Sequence, residues 1–257
     1  MTHSDIPGPE EGKPLPYQRE TEDERLLESV EALQTIGKDA WRIFRIMGEF
    51  VEGFEEMSKL GPCVSFFGSA RVKPADVMYQ KCVETARLLG ESGFGIITGG
   101  GPGIMEAANR GAREANVTSV GCNIELPFEQ GQNEFVDVGI DFRYFFVRKT
   151  MFVKYAEAFI IFPGGFGTMD ELFEALTLIQ TGKVRNFPVV MFGSEYWAGL
   201  IDWIQGTMVK EGKIAAEDMN LILVTDDPDE ACAHVLERYQ HRRAMSDGLI
   251  PHHFRNP

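Results

Sequence analysis

Apolar positions along this chain fall into two rhythms that alternate. Short runs of four to six apolar residues recur between longer stretches in which apolar residues step by three and four. Cys63–Phe67, Gly95–Thr98 and Ser119–Ile124 read as strands, as does the run Ala158, Phe159, Ile160, Ile161 and Phe162. Phe187 to Phe192 and Leu221 to Val224 continue the series, and Phe135 to Val138 reads as a further short strand. Between them the pattern predicts helices over residues 74–89, opened by Pro74 and stopped by Gly90 and Gly93, and over 104–112, 143–155, 172–179, 196–209 and 229–239. Strands that alternate with helices, each apolar on both faces, predict an α/β fold with a parallel sheet. The sheet is expected to be Rossmann-like and doubly wound, with helices on both faces.

Ahead of this body the rhythm differs. Residues 1–19, with Pro7, Pro9, Pro14 and Pro16 among scattered charges, read as a disordered tail. Residues 20–60 read as an N-terminal helical extension. Leu26, Leu27, Val30 and Leu33 share one face. After Gly37, a seam of Ile43, Met47, Phe50, Phe54 and Met57 advances by 4, 3, 4 and 3. Such a helix packs on its own domain or grips a second subunit. The catalytic body is expected over 61–240, with a frayed tail at 241–257 in which His252 and His253 face solvent.

Three strand ends carry small or glycine-rich loops: Gly68-Ser69, Gly99 to Gly103, and Gly164 to Thr168. Ligands of parallel sheets lie beyond the carboxyl ends of the strands. The third loop is Pro163-Gly164-Gly165-Phe166-Gly167-Thr168-Met169-Asp170-Glu171, on a strand-to-helix turn. Helix N-termini present free amides and a positive dipole end, an arrangement that suits phosphate. Taken alone, the turn is a capped helix start and Asp170 and Glu171 are ordinary first-turn acids. Three such loops on one edge describe a nucleotide-sized pocket.

Composition narrows the function. A net charge of −14 argues against a nucleic-acid polymer as partner. Cys63, Cys82, Cys122 and Cys232 form no CxxC and no zinc spacing, and read as buried free thiols of a cytoplasmic protein. No apolar run reaches membrane-span length, and residues 1–11 do not read as a signal peptide. The chain lacks GxGxxG, GxxxxGK[ST] and GxSxG, so a dinucleotide enzyme, a phosphate-loop NTPase and a serine hydrolase are not indicated. Amide donors, arginines and carboxylates without a metal or cofactor suit a cationic transition state. Cleavage of an N-glycosidic bond passes through an oxocarbenium-like sugar that a carboxylate can stabilise.

The pair Arg148-Lys149 ahead of Pro163 to Glu171, with FGSAR and GGGPGIMEAANRGA earlier, resembles the LONELY GUY (LOG) family, whose hallmark is an Arg-Lys pair before PGGxGTxxE. The resemblance runs from about Cys63 to Val224. It implies a phosphoribohydrolase that cleaves cytokinin riboside 5′-monophosphates, or AMP, to a free base and ribose 5-phosphate, without a cofactor. It implies Arg148 and Glu171 as the catalytic pair, and Gly164, Gly165, Gly167 and Thr168 as the phosphate-holding turn. Ser69, Gly100, Gly101, Met105, Glu129, Lys149, Asp170 and Thr177 complete the implied substrate contacts. It also implies a homodimer or larger homo-oligomer. The family's RKxxM pattern is not kept. Phe152 stands where the methionine would be and Met151 precedes it, a packing change that bears on base selectivity. A lysine decarboxylase label, applied to related proteins, has no support in the residues. The rival function is a protein of the same fold that holds a nucleotide or a molybdenum-cofactor-like ligand without cleaving it.

Overall fold

A computed structural model describes residues 21–27, 36–126, 131–184 and 187–246. Seven parallel strands form one sheet in the order β4-β3-β2-β1-β5-β6-β7. They are β1 (Cys63–Phe67), β2 (Gly95–Thr98), β3 (Ser119–Ile124), β4 (Val138–Phe142), β5 (Ala156–Ile161), β6 (Val189–Phe192) and β7 (Ile222–Thr225). The helices are α1 (Glu22–Leu27), α2 (Ile36–Met57), α3 (Val77–Glu91), α4 (Ile104–Glu114), α5 (Phe145–Tyr155), α6 (Phe166–Gln180), α7 (Ser194–Trp203) and α8 (Pro228–Ser246).

The chain lays β1 to β4 outward in one direction. It then returns through α5 to place β5 on the other side of β1. The winding therefore reverses between β1 and β5, where such sheets open a crevice for ligands. Backbone bonds knit the two strand ends together, from Phe162 N to Phe67 O (2.8 Å) and from Ser69 N to Pro163 O (2.9 Å).

Alternation along the strands feeds two cores. Val64, Phe66, Ile96, Ala158 and Ile160 point to the face covered by α3, α4 and α8. Cys63, Phe67, Ile97, Phe159 and Ile161 point to the other face, covered by residues of α5, α6 and the end of α2. The small residues Ala107, Ala108 and Ala112 bring α4 close to the sheet. The four cysteines are buried and free.

The structure differs from the sequence reading at several boundaries. The strand expected at 135–138 lies at Val138–Phe142. Glu134 and Phe135 are in a turn, and Ser119 O takes Asp137 N just before the strand begins. The alternating burial of Val138 to Phe142 is that of a sheet edge. Asp76, not Pro74, caps α3, accepting Met78 N at 2.8 Å. The helix after the central turn starts at Phe166, ahead of Leu172, and α8 runs through residues 241–246, where the sequence predicts a tail. The tail over 1–19, Val30, Leu33 and residues 247–257 lie outside the described residues.

The helical seam divides. Its C-terminal half packs on the body. Met57 is buried, and Gly53 lies so close to Met151 that an added Cβ would sit 2.9 Å from the Met151 methyl. Its N-terminal half leaves Trp41, Ile43, Phe44 and Met47 more than half exposed. Among the described residues no helix is long and apolar enough to cross a membrane.

Candidate active site

The three small-residue loops meet at the ends of the adjacent strands β2, β1 and β5. The first in-helix bond of α6 runs from Met169 N to Gly165 O. The amides of Phe166, Gly167 and Thr168 precede it and have no partner within the helix. Gly165, Phe166 and Gly167 are exposed, so this edge is open to solvent. Gly164 has to be glycine for a steric reason. A Cβ there would overlap the Thr168 side chain, which is buried against it. The Tyr196 hydroxyl donates to Gly164 O at 2.6 Å and holds the turn from outside.

Arg148 projects from α5 across the end of the sheet. Its Nε donates to Cys122 O at 2.8 Å. A terminal guanidinium nitrogen sits over Gly99, where a Cβ would collide with it and with the Met105 sulfur. The Phe152 ring lies 5.1 Å from Cζ. The departure from RKxxM thus falls on the arginine itself: Phe152 forms the floor of the guanidinium, and Met151 packs away from it against α2. Desolvation lowers the Arg148 pKa, and Cys122 and Glu171 pull the other way.

Glu171 lies one turn into α6. It is 8% exposed, and its Oε2 is buried with no hydrogen-bond partner. Desolvation pushes its pKa up to about 7. Lys149 and Arg148 pull it down, and Glu174 and Asp170 push it up. A buried polar atom without a partner costs free energy unless a ligand or water meets it. Lys149 is engaged with Asp170 Oδ1 and Glu174 Oε2, both at 2.9 Å, which ties α5 to α6 beside Glu171.

The structure brings Arg148, Lys149, Glu171, Asp170, Thr168, Gly164, Gly165 and Gly167 together with Ser69, Gly100 and Gly101 on the neighbouring loops and Met105 at the start of α4. The Ser69 hydroxyl accepts Arg71 N at 3.1 Å, a local turn bond. Thr177 stands apart from the turn and donates to Phe173 O at 2.7 Å. It lines an open groove along α6 with Lys149, Phe166, Met169, Asp170, Phe173 and Glu174. Glu129 lies outside the described residues.

Sequence reasoning missed the support of the middle loop. Asn109 is fully buried on α4. It accepts from Thr98 Oγ1 (2.6 Å) and donates to Ser119 Oγ (2.8 Å). Asn133 Nδ2 reaches Asn109 and the carbonyls of Gly100 and Gly101, at 2.9 to 3.0 Å. An asparagine on the small-residue face of a helix was the available signal, since a buried amide needs partners.

The site is a switch-point crevice with a helix start, an enclosed arginine and a desolvated carboxylate, an arrangement whose chemistry suits an anion and acid–base work. The family model described as "Possible lysine decarboxylase" matches residues 105–235, and the chain belongs to this family, that of the LOG proteins. It is 35% identical over 89 residues to a cytokinin riboside 5′-monophosphate phosphoribohydrolase of Rhodococcoides fascians, a match that covers 34% of this chain and 44% of that protein. It is 27% identical over 212 residues to the enzyme LOG of Oryza sativa subsp. japonica, covering 78% of this chain and 84% of that one. At 34–35% identity the chain thus spans about two fifths of the length of the relatives it matches. Among solved structures, a Moco carrier protein from Chlamydomonas reinhardtii shares the fold, with a TM-score of 0.50 at 22% identity over 70% of this chain and 98% of that one.

Proposed function

We propose that this protein hydrolyses the N-glycosidic bond of nucleoside 5′-monophosphates, cytokinin riboside 5′-monophosphate or AMP, to a free base and ribose 5-phosphate. The carrying observation is the buried, unpartnered Oε2 of Glu171 one turn beyond an exposed helix start. The 5′-phosphate sits on the amides of residues 165–168, against the Gly164–Thr168 packing, with Ser69, Gly100 and Gly101 on the adjoining loops. The ribose then lies toward Glu171. As the C1′–N bond breaks, its electron pair leaves with the base, and the carboxylate stabilises the cationic sugar. Glu171 takes a proton from the water that attacks C1′, the departing base takes one from solvent, and Glu171 returns its own to solvent before the next turnover. A general base works best with a pKa near the operating pH, and Glu171 is poised there. Arg148 stabilises charge on the other side. Lys149, Met105, Asp170 and Thr177 shape the groove that takes the rest of the nucleotide.

A carrier that only held an anion would gain nothing from a desolvated carboxylate beside it, because like charges repel. The names of the phosphoribohydrolase relatives support the hydrolase. We propose a homodimer or larger assembly in the cytoplasm. Exposed Phe145, Phe146, Phe166 and Phe173 beside the site, and the bare half of α2, support the assembly. Four free buried thiols are compatible with a reducing compartment.

Incubation with AMP and with a cytokinin riboside monophosphate, followed by chromatography, is expected to release free base. Binding without base release would favour the carrier. Gly164→Ala is expected to weaken ribose 5-phosphate binding about tenfold by calorimetry, because the Thr168 overlap shifts the turn. Unchanged affinity would remove the phosphate from this turn. Light scattering is expected to give a dimer or larger, and Met47→Asp to shift it toward monomer.

A further inference from the structure

The helix that carries Arg148 is capped from a distant part of the chain. Tyr144, at the N-cap of α5, makes no side-chain bond to the helix, and the first turn holds no acid. The opening amides of a helix need partners. Glu49, on α2, supplies one. Its Oε2 accepts Arg143 N at 3.1 Å and Tyr144 N at 3.4 Å, and its Oε1 lies 3.6 Å from the Arg143 guanidinium. Glu49 is 5% exposed. Asp23, on α1, accepts Phe145 N at 3.3 Å. Glu22 accepts the Tyr144 hydroxyl at 3.4 Å and pairs with Arg45 of α2 at 3.1 Å.

The link to the site is one helical turn long. Arg148 N donates to Tyr144 O, so the residue whose amide Glu49 holds is bonded in turn to Arg148 through its own carbonyl. A second contact fixes the same two helices, where Gly53 lets α2 lie against Met151. Desolvation raises the Glu49 pKa, while the two amides and Arg143 lower it. A carboxylate kept in so dry a place is held for what it bonds.

We propose that Glu49 is a positioning residue for Arg148, which makes the N-terminal helix α2 part of the catalytic apparatus. The rate readout rests on the hydrolase reading given above. The spectroscopic one does not.

The test uses the full chain, labelled with 15N-arginine. The Arg148 Nε–H resonance, bonded to Cys122 O, is assigned by its loss in Arg148→Lys. Glu49→Ala is expected to shift or broaden that resonance. It is also expected to lower kcat on AMP roughly tenfold to a hundredfold, with KM changed less than about threefold, since a small misplacement acts on the transition state. Glu49→Gln keeps an acceptor oxygen and is expected to restore kcat to within about threefold of wild type. If Glu49→Ala does not fold, Glu49→Asp withdraws the acceptor by one methylene and is expected to move the resonance in the same way. An unmoved resonance with unchanged kcat, even with a lower melting temperature, would overturn the proposal and leave Glu49 as a staple for the arm. If the wild type releases no base, the hydrolase reading fails and the resonance alone decides the positioning role.

Discussion

Glu171→Gln is expected to cut base release to a small residual rate and, at pH 8, to raise the melting temperature. The loss of rate should be about a hundredfold to ten-thousandfold, the usual range for a general base. The gain in stability follows from the same desolvation. The ordinary glutamate value of 4.5 describes the unfolded chain, and the folded value is about 7. Below pH 4.5 both states carry the proton and the group contributes nothing. Between 4.5 and about 7 the unfolded chain gives up its proton first, so rising pH favours unfolding. Above 7 the full cost is reached, roughly 3 kcal/mol at most. The amide introduced by the substitution leaves a polar group of its own, which reduces the net gain. The difference in melting temperature between variant and wild type should therefore grow from pH 5 to pH 8. In a chain of this size it should reach a few degrees, about 2–4 °C per kcal/mol. Activity runs the opposite way. Wild-type kcat/KM should rise with pH through about 7 as the carboxylate of the free enzyme ionises, and the residual rate of Glu171→Gln should be flat. A variant that keeps its activity would show that Glu171 is not the base, and a stability difference that shrinks as pH rises would show that it is not desolvated.

The parts of the site that lie close in sequence were legible from it. Cys63–Phe67, Gly95–Thr98 and Ser119–Ile124 have the bounds their apolar runs predict, because strands buried on both faces leave continuous apolar signals ended by glycine. The turn from Pro163 to Glu171 could be placed for a similar reason, since glycines between a strand and a helix have few other uses. The edge strand Val138–Phe142 was misplaced because one face is half exposed and its signal is diluted. The supports lay further out of reach. Asn109, Asn133, Tyr196 and Glu49 act across 10 to 95 residues of chain. Nothing in local periodicity tells a buried capping carboxylate from a solvated one. Glu49 sits in an acidic, amphipathic helix where a charged surface is the ordinary expectation. Only the fold brings it to the amides of Arg143 and Tyr144.

Arg148→Ala is expected to cost about a hundredfold to a thousandfold in kcat, the scale of a preorganised charge withdrawn from a dry site. The guanidinium is held on three sides, by the Cys122 carbonyl, the Gly99 turn and the Phe152 ring, so it stabilises charge without reorganising first. Its removal has a second effect, in the pH profile. Arg148 is one of two cations that lower the Glu171 pKa, the other being Lys149. Without it the Glu171 pKa rises, and the acid limb of the rate profile should move to higher pH. Arg148→Lys keeps the charge, but an ammonium cannot donate to Cys122 O and also lie flat between Gly99 and Phe152. That variant should lose rate on the same scale as Arg148→Ala while its acid limb stays near the wild-type position. The two substitutions therefore separate charge from placement. If lysine restored the rate, charge alone would be what the site requires. If alanine moved the limb to lower pH, the coupling between Arg148 and Glu171 would have the wrong sign, and the pairing of the two in one reaction would fail.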